Sequence, residues 1–133
     1  MKRTKKPTIL ILDDNGIELT NYFMALRNAG YQTQGAQRIE DALRILDHFP
    51  INLVLSDIHL SKNLEKFEGL DFLSEVKKKF PHITLMAMSS DSTVDLADRA
   101  KRAGAWTFVK KPSEVNEDFL VQVRHAINVG SIL

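Results

Sequence analysis

The sequence predicts an α/β domain built on a doubly wound, five-stranded parallel sheet. Short runs of aliphatic and β-branched residues alternate along the chain with longer stretches in which apolar residues recur at helical spacing. Five strands that alternate with five helices favour a parallel sheet with helices on both faces. Because crossover connections are right-handed, the common strand order for a sheet of this size is 2-1-3-4-5. The length of 133 residues suits one domain with its own core.

Each predicted strand has its own sequence pattern. Thr8–Leu12 (TILIL) and Asn52–Ser56 (NLVLS) are nearly continuous apolar runs, as expected of strands that are buried on both faces. Tyr31–Gly35 is a weaker, more polar strand. Ile83–Met88 (ITLMAM) is again apolar, and Trp106–Val109 is the fifth strand, which the predicted order places at an edge.

The helices are predicted from apolar residues three or four positions apart. Asp91 or Ser92 can cap the fourth helix. The residues expected to end the five helices are Gly30, Pro50, Pro81, Gly104 and Gly130. In chain order, the apolar stripes are Leu19, Phe23 and Leu26; Ile39, Ala42, Leu43 and Leu46; Leu70, Leu73, Val76 and Phe80; Leu96, Ala100 and Ala103; and Phe119, Val123 and Ile127.

Composition excludes several classes of function. The chain has no cysteine, which rules out thiolate catalysis and zinc–cysteine sites and fits a reducing cytoplasm. Four of the eighteen basic residues lie within the first six positions, and the remainder carries a net charge of −3, which argues against nucleic-acid binding. No apolar stretch suits a signal peptide or a membrane span. We therefore expect a soluble cytoplasmic domain over residues 8–130, after a basic, mobile segment over residues 1–7.

Polar side chains follow four of the predicted strands. Asp13 and Asp14 follow the first strand, Asp57 the third, Ser89 the fourth and Lys111 the fifth. In an open parallel sheet, ligands bind at the carboxyl ends of the strands, near the point where the strand order reverses. Each residue alone is ordinarily a cap, a turn residue or a solvated loop residue. Their combination at one edge predicts a functional site.

The adjacent carboxylates of Asp13 and Asp14 need a nearby positive charge, because like charges this close disfavour each other's ionised form. Carboxylate oxygens suit Mg²⁺ or Mn²⁺, and an ion with few protein ligands leaves positions for a phosphoryl group. Lys111 and the Ser89 hydroxyl would then meet the phosphoryl oxygens. A carboxylate can itself accept the phosphoryl group, which gives an aspartyl phosphate.

The motifs resemble the receiver domain of two-component response regulators, of the single-domain chemotaxis-regulator type. They are LDDN at residues 12–15, VLSDIHL at residues 54–60, the pair Ser89-Ser90, and GAWTFVKKP at residues 104–112. The resemblance covers about Ile9 to Ile127. It implies a flavodoxin-like (β/α)5 fold and a signalling switch rather than a turnover enzyme.

The resemblance also implies a role for each matching residue. Asp57 would be the phosphoacceptor, and the donor would be a histidine kinase or a histidine phosphotransfer protein. Asp14 would ligate Mg²⁺ directly with Asp57, Asp13 would act mainly through water, and the backbone carbonyl of His59 would complete the metal site. Lys111 would pair with the phosphoryl group.

Further residues would transmit the signal. Ser89 would move toward the phosphoryl oxygens, and Phe108 would turn inward as the aromatic switch. The bond from Lys111 to Pro112 is often cis in the family. The face formed by the fourth helix, fifth strand and fifth helix would contact a downstream protein, with Trp106 as either an anchor or a packed residue. The domain would act as a monomer or as a phosphorylation-dependent homodimer.

The sequence departs from the family pattern after the acceptor. Ser61 replaces the usual proline, and the usual glycine comes only at Gly69, so the loop Ser61–Glu68 is longer than usual. This change puts kinase recognition in question. His59 and Asp91 flank the site. They either influence the rate at which the phosphoryl group is hydrolysed or are ordinary polar loop residues.

Three alternatives remain. A phosphohydrolase resembling the haloacid dehalogenases would need acids two residues apart after the first strand, and here they are adjacent. A flavodoxin-like FMN binder would need a phosphate-binding loop where Asp13 and Asp14 stand. A receiver-like interaction module that is not phosphorylated is kept open by the altered loop. The sequence also leaves open whether the chain is a stand-alone receiver or part of a longer regulator or hybrid kinase.

Overall fold

Five strands and five helices alternate in the computed structural model, which describes residues 6–60, 67–91 and 93–132. Ser92, the basic residues Lys2, Arg3 and Lys5, and residues 61–66 of the long loop lie outside the described residues. The strands are β1 Thr8–Leu12, β2 Gln32–Ala36, β3 Leu53–Asp57, β4 Thr84–Ser89 and β5 Thr107–Lys110. The helices are α1 Gly16–Asn28, α2 Ile39–His48, α3 Glu68–Lys79, α4 Val94–Arg102 and α5 Glu117–Ile132.

The strands form one parallel sheet in the order β2-β1-β3-β4-β5, which confirms the predicted order. In the register of the two central strands, Leu12 stands opposite Ser56. The residues that follow these two positions therefore emerge side by side at the same edge of the sheet. This register places Asp13 and Asp57 close together.

Every residue of β1, β3 and β4 is buried, because the sheet is covered on both faces. Alternate residues of a strand point to opposite faces, and the core accordingly divides into two clusters. One contains Leu10 and Val54, packed with residues of α2, α3 and α4. The other contains Ile11 and Leu55, packed with residues of α1 and α5. Each such buried aliphatic side chain contributes roughly 1.5–3 kcal/mol to folding.

Two of the predicted helix boundaries are wrong. The N-cap of α4 is Thr93, whose hydroxyl accepts the N–H of Leu96 at 3.2 Å, and Asp91 lies outside the helix. Gly130 does not end α5, which continues to Ile132. A Cβ at Gly130 would come within 2.5 Å of the Thr84 hydroxyl, so this glycine allows the helix to pack closely on β4.

Two glycine predictions are correct. Gly30 follows α1 with a φ of 105°, and Gly104 follows α4 with a φ of 115°. Residues with a side chain rarely adopt this left-handed conformation, so glycine is the natural residue after each helix. Among the described residues, no helix combines the length and apolar character needed to cross a lipid bilayer.

Candidate functional site

Three aspartates come together at the carboxyl edge of the sheet. Asp13 and Asp14 directly follow β1, and Asp57 is the last residue of β3. Each offers one carboxylate oxygen, and these three oxygens all lie within 4.8 Å of one another. Asp13 is completely buried, Asp57 is 5% exposed, and Asp14 is partly buried. The expected convergence of the three carboxylates is therefore observed.

Local turns hold one oxygen of each buried aspartate. Asp13 Oδ1 accepts the backbone N–H of Asn15 at 2.9 Å, and Asp57 Oδ1 accepts the N–H of His59 at 3.1 Å. Each is a turn of two residues, which short acidic side chains favour. The second oxygens, Oδ2 in both residues, are left to face the centre of the site.

Lys111 brings a positive charge into this cluster. Its backbone N–H donates to the carbonyl of Ser89 at 2.9 Å, which continues the pairing of β5 with β4. Its Nζ lies 2.7 Å from Asp57 Oδ2 and 3.1 Å from Asp13 Oδ2. The bond to Pro112 is trans, although the family resemblance suggested a cis bond, and trans is the more stable form of most such bonds.

A fourth acid, Glu18, also contacts Lys111 and was not among the predicted site residues. Its Oε2 lies 2.5 Å from Lys111 Nζ. Glu18 stands three positions after Asn15, whose side chain accepts the N–H groups of Ile17 and Glu18 and so caps α1. The pattern N-x-x-E reads locally as the start of a helix. The only feature of the sequence that could have identified Glu18 is its position in the first turn of α1, close to the end of β1.

Burial and ion pairing oppose each other at these groups. Burial raises the pKa of Asp13 to about 7, against the hydrogen bond from Asn15 and the charge of Lys111. Burial also raises the pKa of Asp57, and Lys111 counters this effect. Burial would lower the pKa of Lys111, but its contacts with Asp57 and Glu18 prevail and raise it. Burial would raise the pKa of Glu18, but its contacts with Lys111 and Asp13 together prevail and lower it.

The donor set fits a hard divalent cation. The cluster offers carboxylate oxygens alone, which Mg²⁺ and Mn²⁺ prefer. Asp13 Oδ2 is buried and accepts no hydrogen bond from the described residues, since its contact with Lys111 is an ion pair without hydrogen-bond geometry. A buried oxygen in this state costs free energy that a cation would recover. The ring of His59 packs against Phe67, with centroids 5.0 Å apart, and a metal contact by its backbone carbonyl stays a prediction.

Ser89 and Phe108 lie on the two neighbouring strands. Ser89 is completely buried at the end of β4, and its Oγ accepts the backbone N–H of Asp91 at 3.1 Å. Phe108 is partly buried in β5 and packs against the core cluster on the side of α2, α3 and α4. Both positions are compatible with the expected switch roles, which stay predictions.

Gly69 lies against the backbone of the acceptor strand. Its N–H donates to the carbonyl of Ile58 at 2.8 Å, and a Cβ at this position would overlap the carbonyl oxygen of Asp57 and the backbone of Ile58. Only glycine permits so close an approach. The late glycine of the sequence therefore brings α3 directly beneath the candidate acceptor, whatever the length of the preceding loop.

The two residues that flank the site share one groove. His59 and Asp91 line a groove of about 230 Å³ beside α4, together with Phe67 and Arg99. The guanidinium of Arg99 lies 4.1 Å from the centre of the Phe67 ring, a cation–π contact that joins α4 to the residue preceding α3. Val94, the first residue of α4, is 81% exposed, and Trp106, directly before β5, is 41% exposed.

Comparison with known proteins gives a consistent result. The family model described as response regulator receiver domain matches residues 9–123. A putative NtrX-like response regulator of Rickettsia typhi is 30% identical over 125 residues, which are 93% of this chain and 26% of that protein. A CheY-like receiver domain protein from Methanospirillum hungatei JF-1 has a TM-score of 0.84 at 24% identity, covering 96% of this chain and 98% of that chain. A receiver domain protein from Clostridium thermocellum has a TM-score of 0.80 at 27% identity, covering 95% and 98%.

The extent of these matches differs. The chain spans about a quarter of the length of the curated relatives it matches, such as the Rickettsia protein. It spans nearly the whole of the two solved receiver domains. The Methanospirillum structure, at 24% identity, supports the fold alone.

Proposed function

Because the chain belongs to the response regulator receiver domain family, we propose that it is a phosphorylation switch whose acceptor is Asp57. Members of this family are signalling modules rather than turnover enzymes. One observation carries the proposal. The ammonium of Lys111 lies 2.7 Å from the carboxylate of Asp57, within a cluster of buried acids that suits a divalent cation. A carboxylate and a cation held in this way suit transfer of a phosphoryl group.

The proposed reaction moves a phosphoryl group from a phosphorylated histidine to a carboxylate oxygen of Asp57. The bond between phosphorus and the donor's imidazole nitrogen breaks, its electron pair stays with that nitrogen, and a phosphorus–oxygen bond forms. The attacking carboxylate must be ionised. Burial raises the pKa of Asp57 and works against ionisation, whereas Lys111 favours the charged form.

The clustered aspartates would hold the divalent cation. Asp14 and Asp57 would be direct ligands, Asp13 would act through water, and the backbone carbonyl of His59 would complete the set. Mg²⁺ or Mn²⁺ bound there would offset the negative charge of the carboxylates and of the transferred group. The buried Asp13 Oδ2, which accepts no hydrogen bond from the described residues, supports this assignment. Lys111 would contact the phosphoryl oxygens from the strand on the opposite side.

Ser89 and Phe108 would convert the modification into a change of conformation. Ser89 would turn toward the phosphoryl oxygens and Phe108 would move further inward, which shifts the population of an existing active state. Their positions support this proposal, because Ser89 ends β4 beside the acceptor strand and Phe108 lies on the adjacent strand β5. The switch would thus reach the outer strand of the sheet.

The proposed partners are proteins. A histidine kinase or a histidine phosphotransfer protein would supply the phosphoryl group, and a downstream protein would bind the face formed by α4, β5 and α5. Val94, at the start of α4, and Trp106, directly before β5, have exposed apolar side chains, which supports the second assignment. We propose no direct contact with nucleic acid or membrane, a cytoplasmic location, and action as a monomer or as a homodimer that forms on phosphorylation.

Intact mass spectrometry tests the proposal. The protein is incubated with acetyl phosphate and Mg²⁺, and wild type is compared with Asp57→Asn. We expect wild type to gain one phosphoryl group only when Mg²⁺ is present, and the variant to gain none. If wild type gains no mass and fluoroberyllate with Mg²⁺ leaves its NMR spectrum unchanged, the proposal is wrong and a receiver-like interaction module without phosphorylation becomes the better reading.

A further inference from the structure

Glu18 holds the lysine that the proposed function assigns to the phosphoryl group. The distance of 2.5 Å from its Oε2 to Lys111 Nζ is shorter than the 2.7 Å from that nitrogen to Asp57 Oδ2. The contact joins residues 93 positions apart in the chain. Capping of α1 does not require this carboxylate, since the cap uses the backbone N–H of Glu18 and the side chain of Asn15. The ion pair is therefore a separate tertiary contact.

Three carboxylates surround the ammonium of Lys111, which has three N–H donors. Besides Glu18 and Asp57, Asp13 places its Oδ2 3.1 Å from the nitrogen. The Lys111 side chain is only 11% exposed, so water has little access to it. A phosphoryl oxygen that reaches Lys111 therefore competes with these carboxylates for its ammonium.

Glu18 is the carboxylate that can leave at the lowest cost. Its side chain is 42% exposed, compared with 7% for Asp57 and none for Asp13, so it regains water when it releases Lys111. It also lines an open groove of about 360 Å³ between α1 and the segment after β5, which Glu114 lines as well. The side chain has space to move away from the lysine.

We infer that Glu18 is a built-in competitor for Lys111, and that its negative charge limits how tightly the site holds a phosphoryl group. This inference rests on the proposed function. A phosphoryl group on Asp57 competes with Glu18 for Lys111 and lies close to the Glu18 carboxylate. Two anions that share one ammonium are roughly 5 Å apart and repel each other. Glu18 therefore favours the return to the unphosphorylated state.

The test measures binding of fluoroberyllate, used as the phosphoryl mimic, by ¹⁹F NMR at saturating Mg²⁺. Glu18→Gln keeps an amide oxygen that can accept from Lys111 but removes the charge. Glu18→Asp keeps the negative charge but, because its side chain is one methylene shorter, holds it farther from Lys111. Glu114→Gln is the matched control, because it removes the same charge from the same groove, and among the described residues Glu114 makes no ion pair with Lys111.

Two affinities should change in opposite directions. Glu18→Gln should bind fluoroberyllate about tenfold more tightly than wild type, the effect of removing a nearby like charge from a partly buried site. The same variant should bind Mg²⁺ alone about twofold more weakly, because a negative charge near the cation is lost. Glu18→Asp should lie between wild type and Glu18→Gln, and Glu114→Gln should stay within about twofold of wild type for both ligands. A variant that merely disturbed the structure of the site would bind both fluoroberyllate and Mg²⁺ more weakly.

Two results would overturn the inference and leave the proposed function intact. One is equal fluoroberyllate affinity in wild type and Glu18→Gln. The other is tightening of the same size in Glu114→Gln, which would make the net charge of the groove, and not the contact with Lys111, the cause. If wild type neither binds fluoroberyllate nor accepts a phosphoryl group from acetyl phosphate, the proposed function itself fails, and the inference fails with it.

Discussion

The backbone N–H of Lys111 donates a hydrogen bond to the carbonyl of Ser89 at 2.9 Å, one position beyond the pairing of Ser89 with Lys110. The side chain of Lys111 extends from this point past β4 to Asp57 on β3. The proposed switch serine and the proposed phosphate-binding lysine are thus joined by a direct backbone contact. We therefore expect a backbone movement of either residue to affect the other.

Without divalent ions, stability should fall as the pH rises from about 5 to about 8. Burial raises the pKa of Asp13 from 3.8 to about 7, so near neutral pH the folded state retains a proton that the unfolded state releases. Such a group stabilises the fold fully below its unfolded pKa, and the contribution is lost as the pH rises through the folded pKa. Between pH 5 and pH 8 the expected loss is about 3 kcal/mol, because the folded pKa lies roughly two pH units above pH 5 and each unit corresponds to about 1.4 kcal/mol. Denaturant unfolding at a series of pH values measures it.

The control for this prediction is Asp13→Asn. The neutral amide cannot titrate, so the variant should show a flatter pH profile and should exceed wild type in stability by about 2 kcal/mol at pH 8. A wild-type profile that rises between pH 5 and pH 8 would contradict the prediction. An Asn variant with the wild-type slope would show that another group is responsible.

Mg²⁺ should stabilise the wild-type fold through the aspartate cluster. At a free concentration one hundred times the dissociation constant, the gain should be about 2.7 kcal/mol. Asp14→Asn should lose most of this gain, because it removes one of the three clustered carboxylates. Thermal unfolding with and without Mg²⁺, at constant ionic strength, provides the measurement.

Asp47→Asn is the matched control for the metal prediction. Asp47 is an exposed acid near the end of α2, and because α2 leads from β2 back to the start of β3, it lies toward the opposite edge of the sheet. Its loss should leave the Mg²⁺ effect unchanged. Equal losses in both variants would indicate a nonspecific effect of net charge rather than a site.

Gly69→Ala should destabilise the protein by more than about 3 kcal/mol, because its Cβ would overlap backbone atoms of Asp57 and Ile58 that cannot move aside cheaply. Gly16→Ala is the comparison. There the new Cβ would meet the flexible side-chain amide of Gln37 at 2.9 Å, and the expected change is within about 1 kcal/mol. Denaturant unfolding of both variants gives the two values, and similar values would refute the proposed close packing at Gly69.

Thr93→Ala should cost about 1 kcal/mol, because it removes the hydroxyl that accepts the N–H of Leu96 at the start of α4. Asp91→Ala should cost less, because the hydrogen bond from Asp91 to the Ser89 hydroxyl uses the backbone N–H, which alanine keeps. Unfolding experiments on both variants rank the two residues. A larger loss of stability in Asp91→Ala than in Thr93→Ala would indicate that Asp91 caps α4, as the sequence suggested.

The strand ends were the most predictable part of the molecule. Buried parallel strands read as apolar runs, and the strand order then brings the acids after β1 and β3 together without any further information. Asp13, Asp57 and Lys111 could be identified for this reason. The prediction needed only the location of each strand's last residue.

Contacts between distant elements could not be predicted in the same way. Glu18 follows a capping asparagine and looks like a helix start, and nothing local indicates that its carboxylate reaches a lysine 93 positions away. Gly130 looks like a helix end, but its small size serves packing on Thr84. In both cases the deciding partner comes from another part of the chain.

One residue, Ile58, makes backbone hydrogen bonds at both ends of the segment between β3 and α3. The N–H of Ile58 donates to the carbonyl of Met88 at 2.9 Å, and the carbonyl of Ile58 accepts the N–H of Gly69 at 2.8 Å. The chain thus leaves the sheet and returns to the fold at the same residue, next to Asp57. Insertions within residues 61–66 should leave both hydrogen bonds in place and cost a closure entropy of about 0.6 kcal/mol for each doubling of loop length. We therefore expect that this loop can be lengthened, or a recognition sequence grafted into it, while Asp57, the proposed acceptor, keeps its geometry.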